Sequence, residues 1–270
     1  MKRYFETAIR EHNSGTAITI VGAGVSGKSL AILARDLGYR VFVTEARAVD
    51  AETIESFRDH GIAFETEGHS QRMLECDLMV LSSGVPPCSE PVIMARKRGI
   101  KITGEVDFVA PYLRGTLIGI TGSNGKTTTT MLTGHILEKA GFRTGVAGNV
   151  GSPLAEHAGT EYDVIVAELS SFQLYWTSKL PINVSVVTNV DPDHIDWHGS
   201  LEEYYRCKRK ILSMAEVGGS VICRRNDIET LFPKGYGENK VYSLVWNEDG
   251  FGNYGDCIMM LSDEAELRIC

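Results

Sequence analysis

No apolar run in the 270 residues is long enough to cross a bilayer, and the N-terminal stretch MKRYFETAIREHNSG is charged and helix-like. A spanning helix needs about 20 apolar residues and a secretory leader needs an apolar core of its own, so neither is expected and the chain reads as cytoplasmic. Cysteine is sparse. The six, Cys76, Cys88, Cys207, Cys223, Cys257 and Cys270, are scattered with no two spaced as a metal knuckle or redox pair, which makes reduced thiols the expectation. Positive charge is also short, with 27 Lys and Arg against 35 Asp and Glu and a net charge of −8. That balance gives no broad attraction for nucleic acid or an anionic membrane, so neither is an expected partner and any phosphate must be held by a local loop. Solenoid-length repeats and low-complexity segments are missing as well.

What is present is enough apolar material, 43% of the chain, for one large domain or, better, two. From Ala17 short β-rich runs alternate with helix-compatible stretches: AITIVG, GKSLAILARDLGY, RVFVTEA, a helix near 52–60, CDLMVLSS and PVIMARKRGI leading into KITGEVDFVA. This is the rhythm of parallel βαβ units and predicts a first domain over residues 1–111. A second series starts at GTLIGITG, continues through KTTTTMLTGHILEKAG, DVIVAEL and INVSVVTNV, and fills 112–270. The last two runs are apolar on both faces, as buried parallel strands are, and their polar C-terminal ends are where an open α/β sheet places ligands. After about Val221 the short runs KVYSLVW and CIMMLSD read as antiparallel hairpins.

Gly22, Gly24 and Gly27 form G-x-G-x-x-G between a strand and a helix, and Glu45 ends the next strand. Gly22 would make the tight turn, Gly24 would let the backbone approach a pyrophosphate, and the helix N-terminus would stabilise its charge, with Glu45 accepting from a ribose or base. Nicotinamide or flavin, another nucleotide diphosphate, and mere tight packing all remain open for this loop. A turn at Ser82, Ser83 and Gly84 closes another strand of the domain and is either an ordinary surface turn or part of the same crevice.

The second loop is more specific. In Thr121, Gly122, Ser123, Asn124, Gly125, Lys126, Thr127 and Thr128 the backbone N–H groups would ring phosphates, Lys126 would reach the outer ones and Thr127 would ligate Mg²⁺. It departs from the strict spacing, because Ile120 holds the first glycine position. Glu168 closes the strand DVIVAE, and Asp191, Asp193, His194 and Asp196 follow VSVVTNV, a density of ionisable groups that suggests a cation site. His194 and His198 have no Cys or Glu at supporting spacing for zinc, and a hard Mg²⁺ beside phosphates accounts better for the carboxylates. In EEYYRCKRKIL, Lys208 would share a helix face with Tyr204, and taken alone it reads as a solvated lysine.

The ordered set GITGSNGKTTTTML, AGNVG, AELSSFQL, NVDPDHIDWHG and YYRCK resembles the Mur ligase family. ELSSFQL and the preceding glycine-loop domain resemble the members that add D-glutamate to UDP-N-acetylmuramoyl-L-alanine more than those adding L-alanine, diaminopimelate or lysine, or the D-alanyl dipeptide. The resemblance implies a Rossmann-like domain followed by a P-loop-type ATPase domain, α/β throughout, and a monomeric enzyme of peptidoglycan precursor synthesis that uses ATP and two Mg²⁺ ions. Lys126, His194 and Lys208 would be catalytic. Thr127 and Glu168 would hold one metal, and His194 and Lys208, the latter if carbamylated, the second. Val25, Ser26, Glu45, Arg47, Ser82, Gly84 and Asn149 would bind the UDP substrate. The family often has Asp where Glu45 stands and Pro where Ser83 stands.

The implied chemistry is attack of the alanyl carboxylate on the γ-phosphate, giving an acyl phosphate that the D-glutamate amine then opens. The family also carries a third α/β domain with the D-glutamate site. On this resemblance the 270 residues are expected to stop before that domain and short of the end of the central one, and the chain alone is expected to be inactive in ligation. Two other classes compete: a nicotinamide-dependent oxidoreductase, which would leave Lys126, Glu168 and His194 idle, and a non-catalytic nucleotide-sensing module, which would keep both loops.

Overall fold

The computed structural model describes residues 13–233, 240–244, 258–262 and 265–269. Nearly all of the helix-like N-terminal stretch therefore lies outside the described residues. The chain forms two compact units. The first comprises Met1–Leu113 with the returning segments Pro153–Thr160 and Tyr175–Thr177.

Its centre is a five-stranded sheet of β1 (Ala17–Val21), β2 (Arg40–Thr44), β3 (Ala63–Glu65), β4 (Leu78–Leu81) and β5 (Lys101–Gly104), in the order β3-β2-β1-β4-β5. Every pairing is parallel. All five residues of β1 are buried, as expected for a strand covered on both faces. Helix α1 (Val25–Asp36) packs Leu30, Ala31 and Ala34 inward. Helix α2 (Ala51–Asp59) is capped by Asp50, whose carboxylate accepts from the Thr53 N–H at 2.8 Å, and buries Phe57. Helices α3 (Glu90–Lys97) and α4 (Glu105–Val109) complete the unit. The returning segments are tied in by specific bonds: Ser29 Oγ donates to Glu156 Oε1 at 2.7 Å, and Trp176 Nε1 to the Val85 carbonyl at 3.0 Å.

The second unit is built on an eight-stranded sheet: β6 (Arg114–Thr121), β7 (Thr144–Gly148), β8 (Glu161–Glu168), β9 (Ile182–Val187), β10 (Ala215–Arg224), β11 (Lys240–Leu244), β12 (Ile258–Ser262) and β13 (Ala265–Ile269). The order is β13-β12-β11-β10-β9-β6-β8-β7, so β6 runs between β8 and β9. Helix α5 (Lys126–Lys139) leaves β6 through the second glycine loop. Ile120, Val164 and Val166 form a buried cluster against Leu137 of α5. Burying each such side chain contributes about 1.5–3 kcal/mol. Helices α6 (Ser171–Trp176), α7 (Ile195–His198) and α8 (Leu201–Ser213) follow, and α8 is capped by Ser200, whose hydroxyl accepts from the Glu203 N–H at 3.1 Å.

The hairpin expectation after Val221 holds only at the sheet's far edge. β10 and β11 are parallel to β9, and antiparallel pairing begins at β11–β12 and continues at β12–β13. Helical turns at Arg225–Asp227 and Ile228–Leu231 (α9) lie between β10 and β11 and act as a crossover. Among the described residues no helix is long and apolar enough to cross a membrane.

Candidate functional site: two glycine loops at sheet edges

In the first unit the chain leaves β1 for β2 on one side and later enters β4 on the other. The strand order thus reverses at β1, and crevices form at such points. A cavity of about 400 Å³ opens there, lined by Val25, Ser26, Glu45, Arg47, Ser82 and Gly84, with Gly22, Gly24, His69, Ser83 and Ser89. Six of the seven expected UDP-binding residues therefore share one cavity. Gly22 sits at φ +101°, and a Cβ on it would fall 2.1 Å from Ser82 Oγ. Gly27 has no room either, because a Cβ there would meet the Gly22 carbonyl oxygen at 2.0 Å. Gly24 has open space and is the N-cap of α1, without a side-chain cap.

Glu45 is engaged with the backbone: its oxygens accept from the Ala23 N–H at 2.9 Å and the Arg47 N–H at 3.0 Å. Burial pulls its carboxyl up, but these hydrogen bonds and the Arg47 charge outweigh that and hold it below the usual carboxylate range. The Arg47 side chain is 90% exposed. A residue not singled out in the sequence, Glu105 at the head of α4, joins the two loops of the cavity. It accepts from Ser83 Oγ at 2.7 Å, the Ser83 N–H at 3.2 Å and Ser26 Oγ at 3.4 Å. Its place at the C-terminal end of β5 was the only signal that could have marked it.

In the second unit the phosphate-type loop is pinned from β9. The Ser123 N–H donates to the Asn189 carbonyl at 3.0 Å, and the Asn124 N–H to Asn189 Oδ1 at 2.8 Å. Thr188 Oγ1 and Asn189 Nδ2 both donate to the Asn124 carbonyl, at 2.6 and 2.8 Å. Gly122 at φ +152° leaves no space for a side chain, since a Cβ would meet Thr188 Oγ1 at 1.8 Å. Gly125 is left-handed at φ +76° and caps α5 without a side-chain bond. Lys126 folds back over the loop, its Nζ donating to the Ser123 carbonyl at 2.9 Å, while Thr128 is exposed beside it.

Glu168, 1% exposed, is held at both oxygens: Thr127 Oγ1 donates to Oε2 at 2.9 Å and Asn149 Nδ2 to Oε1 at 2.8 Å. The sheet explains this meeting, because β8 is the neighbour of β6 and β7 of β8. Asn149, the seventh expected substrate residue, thus lies in this unit, against Glu168.

Lys208 is 1% exposed, so reading it as a solvated lysine is wrong. Its Nζ donates to the Gly122 carbonyl at 2.6 Å and lies 4.8 Å from the centre of the Tyr204 ring. Burial, together with the nearby Lys126 charge, lowers its pKa to about 7. The shared face with Tyr204 holds, and Tyr204 OH meets Ser123 Oγ at 2.7 Å. Burial raises the Tyr204 phenol to about 12.

The ionisable groups that follow β9, Asp191, Asp193, His194 and Asp196, whose density suggested a cation site, do not gather at one point. Among the described residues no three His, Cys, Asp or Glu side chains gather around a metal-sized point. The left-handed turn at His194 (φ 48°) and the short α7 spread them instead. Asp191 lies 3.7 Å from Arg224, and half-exposed His194 pairs with Asp193 at 3.3 Å and packs on Phe172 at 4.8 Å between ring centres. His198 is buried, with Nε2 3.0 Å from Ser171 Oγ and Nδ1 3.8 Å from Cys207 Sγ. Burial lowers its pKa to about 4.

A mainly parallel sheet in which a strand passes through a pinned glycine turn into a helix opening with Lys-Thr, beside a buried carboxylate on the neighbouring strand, defines a phosphate-loop α/β unit. Residues 120–249 match the Mur ligase middle domain and residues 17–91 the MurD N-terminal domain. The chain therefore belongs to the Mur ligase family. It is 33% identical over 245 residues to a UDP-N-acetylmuramoylalanine–D-glutamate ligase of Thermotoga petrophila, covering 90% of this chain and 56% of that one. A protein of the same name from Chlorobaculum parvum is 38% identical over 220 residues, covering 79% and 47%. The chain spans about half the length of these curated relatives.

Among solved structures it resembles the UDP-N-acetylmuramate:L-alanyl-gamma-D-glutamyl-meso-diaminopimelate ligase from Neisseria meningitides, at 18% identity and TM-score 0.58 over 94% of this chain and 86% of that one. It also resembles UDP-N-acetylmuramate-alanine ligase from Thermotoga maritima, at 22% identity and TM-score 0.51 over 85% and 54%. Likeness at this level shows the fold: α/β with parallel sheets.

Proposed function

We propose that the chain provides the UDP-substrate crevice and the ATP loop of a cytoplasmic, monomeric ligase that joins D-glutamate to UDP-N-acetylmuramoyl-L-alanine in peptidoglycan precursor synthesis. The observation that carries this is the Thr127–Glu168 pair beside Lys126, one turn from a glycine loop whose first residue of helix is a lysine. A hydroxyl and a carboxylate 2.9 Å apart are hard oxygen donors and suit Mg²⁺ bound together with phosphate oxygens. Mg²⁺ held there would supply charge neutralisation for the phosphoryl group in transfer. The curated relatives' names support D-glutamate as the added amino acid.

The residues then have defined tasks. The loop Gly122–Thr128 cradles the phosphates of ATP: Asn189 engages the Ser123 and Asn124 N–H groups and fixes the turn, while the N–H groups of Gly125–Thr128 and the Lys126 ammonium hold the phosphates, with Lys126 exchanging its bond to the Ser123 carbonyl for the γ-phosphate. The alanyl carboxylate attacks the γ-phosphorus, ADP leaves, and the amine of D-glutamate opens the resulting acyl phosphate to give amide and phosphate. Asn149 orients the substrate from its place against Glu168. Lys208 has an amine of pKa about 7, so a large neutral fraction is available to add to CO₂. The resulting carbamate, one proton having left, is an anionic oxygen donor that with His194 would hold a second Mg²⁺. In the first unit, Val25, Ser26, Ser82 and Gly84 grip the diphosphate, with Glu45 and Arg47 near the base.

Isothermal calorimetry tests the reading directly. Mg·ATP should bind the wild-type chain and UDP-muramoyl-alanine should bind better than NADH. Absence of Mg·ATP binding refutes the ligase assignment, and preference for NADH moves the first loop to oxidoreductase chemistry. ¹³CO₂ labelling followed by carbon NMR should give a carbamate signal that Lys208→Met abolishes.

A further inference from the structure

His69 lines the cavity of the first unit, in the turn that follows β3, and has no role in the assignments above. Its Nδ1 lies 2.7 Å from Thr44 Oγ1, and the same hydroxyl lies 2.6 Å from Glu65 Oε1. A threonine hydroxyl has one proton. Glu65 also accepts from the Ser70 N–H at 2.9 Å. Burial draws the Glu65 carboxyl upward, but the bonds from Ser70 and Thr44 outweigh it and hold it below the usual carboxylate range. Glu65 is thus an ionised acceptor, and the Thr44 proton is committed to it.

The Thr44 oxygen is then left as an acceptor, which requires a proton on His69 Nδ1. In the neutral imidazole this assigns the lone pair to Nε2. Among the described residues Nε2 makes no hydrogen bond to protein, so its lone pair is available to a ligand.

We infer that His69, oriented by the Glu65–Thr44 relay, is a base-selecting residue that accepts a ring N–H of the bound nucleotide and so favours uracil over cytosine. Uracil carries a hydrogen at N3, whereas cytosine has a lone pair there. The relay therefore offers an acceptor that pairs with the first and opposes the second. The inference rests on the crevice being a nucleoside-diphosphate site, as proposed above, and names what selects its base. Arg47, Glu45 and the diphosphate-gripping residues contribute to affinity for either base.

Calorimetry with uridine 5′-diphosphate, cytidine 5′-diphosphate and N3-methyluridine 5′-diphosphate on the wild-type chain tests it. UDP should bind roughly 10- to 100-fold more tightly than either of the others, the range expected for one satisfied against one opposed hydrogen bond in a partly open site. In His69→Ala, and in Thr44→Val, which removes the relay, the preference should collapse through loss of UDP affinity while CDP affinity stays within about twofold. Thermal unfolding of both variants checks that the fold is kept, and the N3-methyl comparison decides the matter on wild-type protein alone. Equal binding of UDP and N3-methyl-UDP, or parallel loss of UDP and CDP affinity in His69→Ala, overturns the assignment to His69 while leaving the crevice intact. Failure of all three nucleotides to bind overturns the crevice reading with it.

Discussion

Thr127 Oγ1 donates to Glu168 Oε2 at 2.9 Å, so the first turn of α5 is tied to the end of the neighbouring strand before any nucleotide arrives. Glu168 is 1% exposed and relies on this donor and on Asn149. Removing the hydroxyl leaves a buried carboxylate one partner short. Thr127→Ala should therefore lower unfolding free energy by about 1–3 kcal/mol in urea titrations without nucleotide, and weaken Mg·ATP binding as well. Unchanged stability would mean that the pair is not formed in solution.

Lys126 behaves differently, because its ammonium only folds back onto the Ser123 carbonyl and is part-buried. Lys126→Met should leave the thermal midpoint nearly unchanged while abolishing measurable Mg·ATP affinity in calorimetry. A variant that still bound Mg·ATP with wild-type affinity would exclude the lysine from the phosphate site.

Lys208 should give the chain a pH signature. Its pKa lies near 7 in the folded chain against an ordinary 10.5, so between those values the unfolded state holds more protons. Stability should then rise as pH is raised from about 7 towards 10.5, with a slope of up to about 1.4 kcal/mol per pH unit. Urea midpoints in CO₂-free buffer would show this rise in the wild type and a flatter profile in Lys208→Met.

His198 predicts a second window on the acid side. Its folded pKa of about 4 lies below the ordinary 6.5, so protons favour the unfolded chain as pH falls from 6.5 to 4, and no further loss from this group occurs below 4. His198→Gln should flatten that limb of the stability profile. An unaltered limb would assign the acid sensitivity to other groups.

The glycines of the first loop are not equivalent. Gly27→Ala places a Cβ 2.0 Å from the Gly22 carbonyl oxygen, which must displace backbone and should cost about 2–4 kcal/mol. Gly24 has open space around it and an ordinary φ of −67°. Gly24→Ala should fold with a near wild-type midpoint and instead weaken nucleotide binding.

Both glycine loops were legible in the sequence because each is contiguous: a strand, a turn and a helix within a dozen residues, with spacing that has a direct mechanical meaning. Glu168 was legible for a similar reason, as a carboxylate closing an apolar strand. The anchors Thr188 and Asn189, the Glu105 clamp, and the Glu65–Thr44–His69 chain were not, since their partners lie tens of residues away and no periodicity links them. The parallel placement of β11 was hidden too, because a short polar-broken strand carries no mark of its partner's direction.

The amino-acid order by itself determined the two strand–loop–helix units and the positions where only glycine fits, since these follow from local sterics and backbone geometry. Only the tertiary structure decided the environment of each charge. Setting β6 between β8 and β9 brings Thr127 to Glu168 and the loop to Asn189, while α8 carries Lys208 to the Gly122 carbonyl. A side chain's pKa and partners depend on desolvation and on neighbours brought together by sheet order, which no contiguous window of sequence contains.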